Sequence, residues 1–161
     1  MEIRLATLND IEPIRQLNNE FWVYNARLQP EYYKEAEESG AYPKSVIIND
    51  DSDIIIATEG DKVTGLIHVR KAQTPPYAPI VKHEYVEVVD LIVSAPYRRN
   101  GIGTKLMDAA KEWGKMRNLD YVELFVLSDA KGEVAFYEEY GFDTVSHTLR
   151  FILGELRGAA E

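Results

Sequence analysis

At 161 residues, with 45% hydrophobic and 28% charged side chains, the chain has the makeup of a single folded domain with a real core rather than of a disordered segment. Its net charge of -9 argues against nonspecific nucleic-acid binding, which depends on clustered Lys and Arg, and favours a small cationic partner instead. The absence of cysteine removes disulfides, thiolate metal sites and a cysteine nucleophile, and no apolar run approaches the roughly 18 residues of a membrane span, so a soluble cytoplasmic protein is expected.

In chain order, Ile3–Ala6 alternates as a short strand, and Asp10 is preferred to Thr7 as the cap of a following helix because Pro13 then falls in its first turn. Ile11, Ile14, Leu17, Phe21, Asn25 and Leu28 recur at helical spacing. Pro30 to Tyr42 reads as a second short helix, stopped by Ser39-Gly40 and Pro43. Asp53–Glu59 and Lys62–Arg70 form a hairpin across Gly60-Asp61, and Gly65 within its second strand marks a bulge or a close backbone approach. Lys71 to Glu84, with Pro75, Pro76 and Pro79, reads as a loop.

Val86–Val93 is a strand that leads through Ser94–Tyr97 into Arg98-Arg99-Asn100-Gly101-Ile102-Gly103-Thr104 and a helix running to about Asn118. The stripe Ile102, Leu106, Ala109, Trp113 and Met116 gives that helix its apolar face. Tyr121–Leu127 is the next strand, so strand, helix and strand make a right-handed crossover with a parallel pair. Lys131–Tyr140 is a short helix capped by Gly141, and the segment from Phe142, clearest at Thr148–Leu153, supplies the last strands.

The glycine turn at Gly101 and Gly103 is the functional signal. A dinucleotide fingerprint needs a third glycine where the chain has Leu106, and the P-loop ending is missing. What remains is a helix start with unpaired amides beside Arg98 and Arg99. Cations there oppose the helix dipole unless an anion intervenes, and guanidinium groups suit paired phosphate oxygens.

With these residues in view, the chain resembles the GNAT superfamily of acyl-coenzyme A N-acyltransferases. The pattern Arg/Gln-x-x-Gly-x-Gly/Ala falls on Arg98, Gly101 and Gly103 after Asp90-Leu91-Ile92-Val93, and Ala135–Phe142 is similar to the family's Phe-Tyr-x-x-x-Gly-Phe block. The resemblance covers Tyr85 to Phe142. It implies a mixed α/β fold of the α+β type, a single N-acetyltransferase domain over 1–161, with a central, mostly antiparallel sheet, one splayed parallel strand pair and helices on both faces. It also implies that the amides of Arg99, Asn100, Gly101, Ile102, Gly103 and Thr104, with the side chains of Arg98 and Arg99, bind the pyrophosphate of acetyl-CoA. Leu91, Ile92 and Val93 would pair with its pantetheine arm, and Tyr137 would sit near its sulfur. Where relatives often carry an asparagine seven residues before that tyrosine, this chain has Ala130, with Asp129 one position earlier. Dimers are common in the family.

The chemistry follows from the side chains. An amine acceptor, with a pKa of about 10, arrives as an ammonium and needs a general base. Glu87 and Asp90 are the candidates, Glu87 being favoured because several members of the family carry a glutamate there. Simple strand alternation puts them on opposite faces unless a bulge intervenes. Tyr137 is the candidate donor to the departing thiolate. His68, His83 and His147 lack metal-ligand spacing, so they are read as structural or surface residues and no metal is expected. The reading is thus an acetyl-CoA-dependent transferase acting on a small-molecule amine, against the alternatives of a noncatalytic acyl-CoA-binding module or an enzyme acting on a protein amine.

Overall fold

The computed structural model describes residues 1–158, and the last residues of the 1–161 span expected for the domain lie outside the described residues. It divides into two compact units, one made of Met1–Glu20 and Glu37–Phe125, the other of Phe21–Ala36 and the residues from Val126 onward. The first unit carries a five-stranded sheet of β1 (Glu2–Leu5), β2 (Ser52–Glu59), β3 (Lys62–Gln73), β4 (Glu84–Val93) and β5 (Val122–Leu124), ordered β1-β2-β3-β4-β5. All neighbours are antiparallel except β4 and β5, which are parallel. The helices are α1 (Ile11–Leu28), α2 (Ala41–Ile47), α3 (Ile102–Met116) and α4 (Lys131–Tyr140), and α3 is the crossover that makes the parallel pair possible.

One sheet face is covered by α3. Ile55, Ala57, Ile67, Val69, Val86 and Val88 alternate onto that face and are buried, as are Ile102, Leu106, Met107, Ala110 and Trp113 of the helix. The indole N–H of Trp113 reaches across to Asp53 at 2.8 Å. Gly65 permits this packing, since a Cβ there would lie 3.0 Å from the Ile92 carbonyl oxygen and 3.2 Å from side-chain atoms of Ile102 and Leu106. The expected bulge is present too, one residue earlier, where the register with β2 slips between Ala57 and Thr58. Ile54, Ile56, Leu66 and Ile92 point the other way and are also buried. On that side α2 packs on β2, and the first turns of α1 form a cleft with Val63 and Ser94. Each fully buried aliphatic side chain contributes about 1.5–3 kcal/mol.

Several boundaries differ from expectation for physical reasons. Thr7, not Asp10, caps the chain as it enters α1. It caps a 3-10 turn at Leu8–Asp10, and the Asp10 carboxylate reaches back to the Thr7 amide at 2.7 Å. Asp10 is then gripped by both terminal nitrogens of Arg4 at 2.9 Å, which hold its carboxyl down at about 2. The helix expected over Pro30–Tyr42 is absent; the helix there is α2, and Pro43 lies in its first turn rather than after its end, a position where the missing N–H costs nothing. Met116, expected on the apolar stripe of α3, is 80% exposed because the helix turns its last residue away from the sheet.

In the second unit the end of α1 and α4 supply the regular structure, and Gly141 closes α4 with φ +117° as expected. The Tyr24 hydroxyl donates to Glu133 at 2.9 Å, and the Arg150 guanidinium lies 4.0 Å from the Tyr32 ring centre. The strands expected from Phe142 onward do not form among the described residues. Leu149, Phe151 and Leu153 are 88–94% exposed in a segment with no ladder partner among the described residues, and alternation makes a strand only when an edge is there to pair with. Among the described residues no helix is long and apolar enough to cross a membrane.

The contact between α3 and β4 sets a first expectation. A Cβ at Gly114 would lie 2.5 Å from a methyl of the buried, rotamer-stiff Val86. Gly114→Ala should therefore lower unfolding stability by about 1–3 kcal/mol in urea titration, despite alanine's better helix propensity. An unchanged or higher midpoint would contradict the packing described here.

Candidate active site

The site is organised by a second irregularity, in β4. His68 faces Asp90 and Val69 faces Val88, so Val89 is an extra residue with no partner on β3. A bulge resets the side-chain alternation. Glu87 pairs with Arg70 and Asp90 with His68, and since Arg70 and His68 are two apart on β3, both carboxylates lie on the same face, the one opposite α3. The alternation expected from sequence alone, with Asp90 turned away from Glu87, is thereby replaced.

The two carboxylates differ in environment. Glu87 accepts from Arg70 Nε at 2.6 Å and is a third exposed. Asp90 has no hydrogen-bond or ion-pair partner among the described residues, and burial pushes its carboxyl up to about 6. Tyr42 of α2 and His68 complete the cluster, the tyrosine hydroxyl hydrogen-bonded to His68 Nδ1. Sequence reasoning set His68 aside and lost Tyr42 in a misplaced helix. The available signal was the spacing of His68 and Arg70, which share one face of a predicted strand.

The same bulge marks the end of pairing with β5. The parallel ladder runs only from Val86 to Val88 against Val122 to Leu124, so β4 continues from Val89 to Val93 with no strand beside it on that side among the described residues. This is the splay expected for the parallel pair. Leu91, Ile92 and Val93 lie along that open edge.

Beyond Val93 a 3-10 turn at Ala95–Tyr97 leads to the glycine turn. Arg99 takes a left-handed φ of +64° and Gly101 one of +77°, which bend the chain so that α3 starts at Ile102. The first helical bond is from Lys105 N–H to the Gly101 carbonyl at 3.1 Å, leaving the amides of Ile102, Gly103 and Thr104 without helical acceptors. Arg99 is exposed. Arg98 is engaged: its Nε donates to the Val93 carbonyl at 3.0 Å and Nη2 lies 3.6 Å from Glu20, whose carboxylate also accepts from the Ala95 amide at 3.0 Å. Part of the anion that two arginines at a helix start call for is thus supplied by the chain itself. The Asn100 side chain donates to the Tyr97 carbonyl at 3.4 Å.

Tyr137 belongs to the second unit. It lies on α4, edge-on to Phe136 and Phe142 at ring distances of 5.4 and 5.7 Å, and its carbonyl accepts from the Phe142 amide at 2.9 Å in the helix cap. Asp129, in the same unit, accepts from the Gln29 side-chain amide at 3.1 Å.

Comparison with known proteins agrees with this geometry. Residues 11–142 match the model of the acetyltransferase (GNAT) family. An uncharacterized N-acetyltransferase of Methanocaldococcus jannaschii is 28% identical over 141 residues, covering 88% of this chain; the chain spans only 60% of that relative's length. A tetramutant of a Bacillus halodurans protein superposes with a TM-score of 0.90 at 20% identity, over 95% of this chain and all of the other. An aminoglycoside N-acetyltransferase solved in complex with CoA superposes with a TM-score of 0.73 at 15% identity, over 94% of this chain and 93% of its own. With a strand opened at a bulge, a glycine turn at a helix start and a family match that spans both, the chain belongs to the acetyltransferase (GNAT) family.

Proposed function

We propose that the protein, acting as one catalytic domain, transfers an acetyl group from acetyl-CoA to a small-molecule amine by direct attack in a ternary complex. The observation that carries this reading is the open edge of β4 from Val89 to Val93, which runs into the unpaired amides of Ile102, Gly103 and Thr104. An extended amide-bearing arm adds to such an edge as a strand does, and a pyrophosphate suits the helix start with Arg99 beside it. Arg98 would exchange its contact with Glu20 for the phosphate.

In the reaction, the acceptor ammonium gives its proton to the base, its lone pair attacks the thioester carbonyl, and the C–S bond breaks to release the coenzyme as a thiolate. Taking a proton from an ammonium with a pKa of about 10 costs about 5 kcal/mol when the base has a pKa of about 6, and the cost falls as the base's pKa rises. Asp90, raised to about 6 and unpaired, is therefore proposed as the base in preference to Glu87, which is tied to Arg70. Glu87 holds Arg70 in place beside it. Tyr137 is proposed to hydrogen-bond the departing sulfur.

Purified protein mixed with acetyl-CoA and a panel of small amines should release free thiol, with kcat/KM rising as pH climbs through about 6. Asp90→Asn should lower kcat/KM by about 100-fold or more, and Glu87→Gln by less than about tenfold. The reverse order would assign the base to Glu87, and binding of acetyl-CoA without turnover on any amine would make the protein a sensing module. Absence of CoA binding in calorimetry would end the proposal.

The same substitution has a signed effect on stability. Folding raises the Asp90 pKa, so between about pH 4 and 6 the folded state holds more protons than the unfolded one, and stability falls as pH rises through that window. At pH 7.5 the half-buried carboxylate is charged and carries its desolvation cost. Asp90→Asn should therefore raise unfolding stability at pH 7.5, by up to about 3 kcal/mol, and the gain should disappear by pH 4. A loss of stability at pH 7.5 would contradict an unpaired, desolvated carboxylate.

A further inference from the structure

Three groups able to handle a proton meet on the sheet face opposite α3, namely Asp90, its cross-strand partner His68, and Tyr42 from α2. His68 is 4% exposed, and its ring meets that of Tyr42 edge-on, with centres 5.4 Å apart and planes at 67°. Both rings also line a cleft of about 310 Å³ that opens to solvent beside Arg70.

The protonation of the pair follows from its surroundings. Burial, with Arg70 adding to it and Glu87 opposing, pushes the imidazole down to about 4, so His68 is neutral. Burial pushes the Tyr42 phenol up, the Asp90 carboxylate adds to this, Glu38 and Glu87 act the same way and Arg70 opposes them, so the phenol keeps its proton. Tyr42 O–H therefore donates to His68 Nδ1, and the ring carries its own proton on Nε2. The charged neighbours are also engaged. Arg70 Nε is held by Glu87 at 2.6 Å, and the Glu38 carboxylate accepts from the Gly40 amide at 2.9 Å. Asp90 alone has no donor among the described residues.

We infer that Tyr42 and His68 are positioning residues for Asp90: locked onto each other, they withhold the Tyr42 hydroxyl and the cross-strand imidazole N–H from its carboxylate, which keeps it unpaired. The catalytic consequence rests on Asp90 being the base; the withheld donors are a property of the folded chain alone.

The test is a carbon-13 carboxyl NMR titration of Asp90, its signal assigned by its loss in Asp90→Asn, in the unsubstituted protein and in two variants. Tyr42→Phe keeps the ring and the packing but frees His68, whose N–H can then turn to the adjacent unpaired acceptor. His68→Phe keeps the bulk and frees the Tyr42 hydroxyl to do the same. Both should lower the Asp90 midpoint by about one pH unit, because a hydrogen bond to the charged form favours it. A pair that serves only as packing predicts no change in Tyr42→Phe and a rise in His68→Phe, which adds apolar surface beside the carboxylate. A midpoint that stays or rises in either folded variant overturns the inference. The acid limb of thiol release read in parallel keeps the two claims apart. If it moves with the NMR midpoint, Asp90 is the base; if the midpoint falls while the limb stays, the positioning role holds and the assignment of the base to Asp90 fails.

Discussion

One extra residue in one strand governs much of what the first unit can do. Were Val89 paired in a regular ladder rather than bulged, alternation would carry Asp90 to the face covered by α3, alongside Val86 and Val88. With it, Asp90 joins Glu87, Arg70, His68 and Tyr42 on the other face. A bulge also adds local twist, and the parallel ladder to β5 ends at Val88, directly before the extra residue. The reset of alternation and the opening of an edge occur at the same position, so the proposed proton acceptor and the backbone that would hold the acyl donor are set side by side along one strand.

The electrostatics at the two ends of that strand are opposite in kind. Toward its middle, a half-buried carboxylate has no partner among the described residues, and desolvation raises its pKa. Past its end, cations stand at a helix start where the dipole is already positive, and Arg99 adopts a backbone conformation unusual for a residue with a side chain. The Glu20 carboxylate offsets part of this by bracing Arg98 and the Ala95 amide. Both features run against stability and both sit where a ligand or a proton would relieve them, as expected of sites shaped by function rather than by folding alone.

The sequence was legible where local pattern and tertiary environment agree. The hairpin at Gly60-Asp61, the crossover through α3, the close approach at Gly65, α4 with its Gly141 cap and the glycine turn all follow from residue types whose backbone preferences act within a few positions. It was not legible where an outcome depends on a partner distant in sequence. The bulge at Val89 exists because β3 offers one residue fewer across the ladder, which nothing inside Val86–Val93 announces. Pro43 looked like a terminator because a proline after a helix and one in the first turn of the next read alike. Thr148–Leu153 had the alternation of a strand but found no ladder among the described residues. For the candidate site, both carboxylates and the glycine turn were visible, while the environments that separate the carboxylates were not, since they depend on Arg70 pairing with Glu87 and leaving Asp90 alone.

The central claim is that the edge of β4 from Val89 to Val93, together with the helix start at Ile102, Gly103 and Thr104, is where the coenzyme docks. Amide hydrogen exchange with and without CoA addresses it residue by residue. CoA should slow exchange along that edge and at those three helix-start amides, while β1 and β2, on the far side of the sheet, keep their rates. Unchanged exchange along the β4 edge at a CoA concentration that saturates the protein would contradict it.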